Sequence, residues 1–133
     1  MEWSEHEAPS LDDFEDLAAN AFSSLPEEFR ALTGDVVFLV QDFPDADVMR
    51  EMELESEFDI LGLFQGPDLG VRVANRGSVE PTMILLYRRP ILDYWAEHKE
   101  KLGDIVRHVL VHEIGHHFGL SDDQMESIEA AVD

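Results

Sequence analysis

The stretch from Leu102 to Phe118 is the longest helical candidate in the chain, and Gly119 stops it. Ile105, Val106, Val109, Leu110, Val111, Ile114 and Phe118 wrap much of its circumference. A helix that is apolar on most sides must be largely buried, so the rest of the chain has to pack around it. The same helix carries His112, Glu113 and His116. Burying two imidazoles and a carboxylate is costly unless they are paired or hold a metal ion.

His112-Glu113-Ile114-Gly115-His116 reads H-E-x-x-H. At about 100° per residue, His112 and His116 lie on one helix face a turn apart, where two imidazoles can grip one zinc ion. Glu113 follows the first His and sits beside the metal rather than on it, in the place of a general base. The chain has no cysteine, so a metal site must be made of His, Asp and Glu. A catalytic zinc has three protein ligands and one position left for water. Gly119 can adopt the left-handed conformation that ends a helix and turns the chain back, and Asp122 then comes within reach as the third ligand. Asp123 and His117 are the alternatives, although His117 points about 100° away from His116. Zinc is favoured, and Mn, Co or Ni suit the same donors. His108, one turn before His112, either lines the mouth of the site or is a partly exposed helix residue. His6 and His98 read as surface residues.

Elsewhere the pattern alternates between helix and strand. Ser10 caps a helix with Leu11, Phe14, Leu17, Ala18, Ala21 and Phe22 at helical spacing. Pro26 opens a short helical turn that Gly34 ends. Val36 to Val40 reads as a buried strand, residues 45–57 as a short, weak helix, and Ile60 to Gly66 as a second strand. Residues 66–80 read mainly as loop, with room for a short strand at Gly70 to Val73. Pro81 to Tyr87 is the third clear strand, broken by Arg88-Arg89-Pro90, and a helix follows from about Ile91 to His98. Ser121 starts a last helix with Met125, Ile128 and Val132 on one side; Met125 is expected in the core.

The chain of 133 residues fits one domain, residues 10–133, after a frayed segment over residues 1–9. Thirty acidic against nine basic residues give a net charge of −21, while 44% of the residues are hydrophobic. That is a globular chain whose field repels nucleic acid, anionic membranes and acidic peptides and favours basic ones. The start, Met1-Glu2-Trp3-Ser4, lacks the basic and apolar segments of a secretory signal, and no apolar run approaches the roughly 20 residues of a membrane span. The expectation is a cytoplasmic protein, with a monomer favoured.

From His112 to Asp122 the chain resembles the extended motif of metzincin-type zinc peptidases, with Asp in place of the usual third His. More narrowly, it resembles the minimal single-domain zincin-like metallopeptidases of bacteria over about Pro26 to Asp123. The segments Ile84-Leu85-Leu86-Tyr87-Arg88-Arg89-Pro90 and Phe43-Pro44 fit the same family. The resemblance implies a compact α/β (α+β) domain, with a small mixed sheet of about three to four strands packed on helices that include the active-site helix. It implies Zn2+ held by His112, His116 and Asp122, with Glu113 as general base. The activity implied is that of a zinc metalloendopeptidase acting on peptide or protein substrates. The alternative is a zinc-binding interaction or regulatory domain with little or no hydrolysis. A substrate would lie extended along an edge strand, for which residues 81–87 are the candidate, although they also suit a core strand. The spacing places neither Tyr87 nor Tyr94 near the metal.

Overall fold

The computed structural model describes residues 3–65 and 82–132. The candidate strand at Gly70 to Val73 lies outside the described residues. After a short 3-10 turn, Trp3–Glu5, the order is helix α1 (Leu11–Ser23), α2 (Glu27–Arg30), strand β1 (Val36–Gln41), α3 (Ala46–Glu51), β2 (Gly62–Gln65), β3 (Thr82–Tyr87), α4 (Arg88–Glu97), α5 (Leu102–His117) and α6 (Asp122–Ala130). This is a mixed α/β domain, as expected. No helix among the described residues is long and apolar enough to cross a membrane.

The helix starts follow local chemistry. Ser10 Oγ accepts the Asp13 N–H at 3.0 Å, and the Asp13 carboxylate accepts the Ser10 N–H at 2.8 Å. This reciprocal cap satisfies two of the free donors at the start of α1. Asp45 caps α3 by accepting the Val48 N–H at 2.9 Å. That helix stops well short of residue 57, because Glu53 takes a left-handed conformation with φ 52°. The helix expected from Ile91 starts instead at Arg88. Pro90 sits in its first turn, where the N–H that proline lacks has no helical partner anyway, so Pro90 joins the helix rather than delaying it.

Among the described residues, three strands lie in the order β1-β3-β2. β1 runs parallel to β3 (Val36 opposite Thr82), and β2 runs antiparallel to β3 (Gly62 opposite Leu86). Residues 82–87 are therefore the central strand, and their candidacy as the substrate-bearing edge is corrected. The reason is burial on both faces. Ile84 and Leu86 enter the main core with Phe14, Leu110, Ile114 and Met125, while Leu85 and Tyr87 enter a smaller cluster with Ile60 on the other side of the sheet. A strand apolar on both faces belongs in the middle of a sheet. Among the described residues, the antiparallel edge is β2. It presses closely on α5, for a Cβ at Gly62 would lie 2.7 Å from Val109 Cγ1 and 3.0 Å from the Leu85 carbonyl oxygen.

Candidate metal centre

α5 is the buried helix that its apolar circumference requires: Val106, Leu110, Val111 and Ile114 are fully buried. Its end is set by backbone hydrogen bonding. Gly119 adopts φ +74°, the Gly119 N–H donates to the His116 carbonyl at 3.2 Å, and the Leu120 N–H donates to the Gly115 carbonyl at 2.8 Å. These paired bonds close the last turn and reverse the chain. Ser121 then caps α6, accepting the Gln124 N–H at 3.1 Å. α6 folds back along α5, and the contact is tight. A Cβ at Gly115 would overlap the Met125 sulfur and lie 2.8 Å from Met125 Cγ. Met125 is fully buried, as its place in the helical pattern implied.

This hairpin carries the motif residues. The rings of His112 and His116 are 5.6 Å apart between centroids and nearly perpendicular, at 83°. His112 is half-buried and His116 exposed. Burial lowers the His112 pKa from its ordinary value, reinforced by His108 and His116 and opposed by Glu129 and Asp122. Asp122, the first residue of α6, is exposed and near enough to act on His112 electrostatically. Asp123, beside it in the first turn, is exposed as well. Two imidazoles a turn apart with a carboxylate in the facing helix turn are a donor set that suits zinc.

Glu113 lies half-buried between α5 and β2. Burial pushes its carboxyl pKa above the ordinary value, while His116 and a hydrogen bond from the Phe64 backbone N–H pull the other way. β2 thus borders the carboxylate directly. The same strand holds the neighbouring His in a different role: the His117 ring stacks on Phe64 at 4.1 Å between centroids.

Among the described residues, His108, His112 and Glu129 form a trio whose potential ligand atoms all lie within 4.8 Å of one another. His112, His116 and Asp122 do not close to that distance. Glu129 lies outside the H-E-x-x-H-x-x-G-x-x-D pattern. The signal was there in the helical spacing, since Asp122, Met125 and Glu129 follow one another at i, i+3 and i+7 and therefore share a face of α6.

Tyr94 and His6 sit elsewhere, whereas Tyr87 lies within electrostatic reach of Glu113. The Tyr94 hydroxyl donates to Glu100 at 2.9 Å and its ring stacks on His98. His6 packs near Trp3. Tyr87 is fully buried, and its hydroxyl finds no hydrogen-bond partner among the described residues. Burial, with the charges of Asp45 and Glu113, raises its pKa to about 12. A buried hydroxyl with no partner destabilises a fold. Tyr87→Phe is therefore expected to raise the free energy of unfolding by about 1 kcal/mol, measured by urea denaturation. A loss of stability would show that the hydroxyl is bonded in solution.

The search of curated proteins finds no match to this chain. The family model for zincin-like metallopeptidases matches residues 33–132, which include β1, all of the α5–α6 hairpin and the whole motif. On the strength of that match and the motif helix within it, the chain belongs to the zincin-like metallopeptidase family.

Proposed function

We propose that the protein is a zinc-dependent peptidase, with His112, His116 and Asp122 holding the metal and Glu113 acting as general base. The observation that carries this reading is the position of Glu113. It is a half-buried carboxylate one residue from a metal-ligand candidate, held by the backbone of the edge strand. A structural metal site has no use for such a group.

A bound Zn2+ would supply Lewis acidity, polarising a substrate carbonyl and making water nucleophilic near neutral pH. The protein's own residues do the rest. Glu113 takes the proton from the attacking water and passes it to the departing amine when the C–N bond breaks. Burial makes this carboxylate a stronger base than an exposed one. The Phe64 N–H orients the carboxylate and keeps it from turning toward solvent. The substrate lies extended along β2, the edge strand that meets Glu113, and adds its backbone to the sheet. The acidic surface favours basic peptides over acidic ones.

The test is metal dependence. Hydrolysis of an unstructured basic polypeptide should stop when the protein is treated with excess chelator and return when Zn2+ is restored. Hydrolysis that persists in chelator overturns the reading. A zinc-loaded protein that never cleaves such substrates favours an interaction or regulatory domain instead.

A further inference from the structure

The motif accounts for His112, His116 and Asp122, and leaves His108 and Glu129 without a role. Glu129 Oε1 is 2.8 Å from His108 Nδ1, and its other oxygen, Oε2, is 3.8 Å from His112 Nε2. The carboxylate therefore reaches both rings at once, one oxygen to each. The His108 and His112 rings are 3.9 Å apart between centroids and tilted by 37°. All three groups border solvent, with side-chain exposures of 58% for His108, 27% for His112 and 24% for Glu129. An ion can enter without any part of the fold opening.

We propose that His108, His112 and Glu129 form a second metal site, one helical turn along α5 from the motif set, for a borderline divalent cation such as Zn2+, Co2+ or Ni2+. Two imidazoles and a carboxylate are the donors such ions prefer. An N···O separation of 3.8 Å matches one ion sitting between the two atoms at roughly 2.0–2.2 Å from each. The helix hairpin explains why both sets exist. α6 runs back along α5, so Asp122 at its start faces the His116 end, and Glu129 two turns later faces the His108 end. His112 lies between and belongs to both sets. A neutral imidazole has one nitrogen lone pair to give, so an ion on one set withdraws His112 from the other. The protein then offers one ion two alternative seats, and only the motif seat is the one assigned to peptide hydrolysis. The second seat stands whether or not the protein is a peptidase.

The experiment is Co2+ titration of the full chain, read by visible absorption and equilibrium dialysis, with circular dichroism to confirm folding. The double variant His116→Ala, Asp122→Asn removes the motif set and keeps every donor of the second. It should still bind one Co2+. Adding Glu129→Gln should weaken that binding by about 100-fold or more, since losing a ligand costs at least as much as losing a group that supports one. His108→Ala in the same background should act likewise, and His112→Ala should abolish binding altogether. A folded double variant that binds no Co2+ overturns the proposal. So does binding that Glu129→Gln and His108→Ala leave unchanged, for then the contact between Glu129 and His108 is a hydrogen bond and nothing more. Because no arm reads hydrolysis, failure of the peptidase reading cannot be mistaken for failure of this site.

Discussion

Glu113→Gln is expected to lower the rate of peptide hydrolysis by about 10²–10⁴-fold while leaving one equivalent of zinc bound. The two halves of that result have separate causes. Glutamine keeps the size of the side chain and can still accept the Phe64 N–H, but it cannot take a proton from water. The proposed metal donors His112, His116 and Asp122 are untouched. The same substitution should stabilise the metal-free protein at neutral pH. Burial raises the Glu113 pKa, so folding disfavours the ionised form. That cost is absent below the ordinary carboxylate pKa, grows as pH rises through the window up to the raised value, and is complete above it. Melting curves of both proteins should therefore converge at acid pH and separate toward neutrality, with the variant melting higher. A variant that loses activity together with its zinc would show that Glu113 holds the metal. A variant that retains full activity would remove Glu113 from the mechanism.

Phe14→Ala is expected to lower the free energy of unfolding by about 3–5 kcal/mol, and the melting temperature by on the order of 10–20 °C. Phe14 is fully buried on α1 and packs in the main core with Ala18 and Ala21 from the same helix. α1 touches both β1 and α5. Truncating Phe14 therefore opens a cavity against the helix that carries the motif. The family match begins at residue 33, beyond α1. This variant accordingly measures whether the N-terminal helix is part of the cooperative unit. Denaturation in urea decides it: a loss below about 1 kcal/mol would mean that α1 packs loosely and that the matched region stands without it.

Much of the fold could be read from residue patterns because the patterns were local. The apolar circumference of α5, its end at Gly119, the Ser10 and Ser121 caps and the β-branched run in β1 each depend on neighbours a few residues away. What residue patterns do not carry is set at long range or by compensation. The order of the sheet depends on which strand pairs with two partners, and a run such as Met83-Ile84-Leu85-Leu86-Tyr87 looks the same at an edge or in the middle until its two faces are covered. Pro90 signalled a break because proline ends helices, yet it is harmless in a first turn. For the proposed site, the H-E-x-x-H spacing places His112, Glu113 and His116 on one helix, and one helix carries them. Glu129 needed the path of a second helix after a reversal, and a motif written as a string of positions carries no such information.

The methionine seated where a Cβ at residue 115 would go has a consequence for how the proposed site would choose its ion. α5 and α6 cannot slide past one another without lifting that thioether off the glycine, so the spacing between the imidazoles and the facing carboxylates is held by apolar contact before any ion arrives. If the proposed donors take an ion, the backbone should then stay in place on loading, and discrimination among cations should fall to bond length and donor type rather than to a collapse of the chain around the guest.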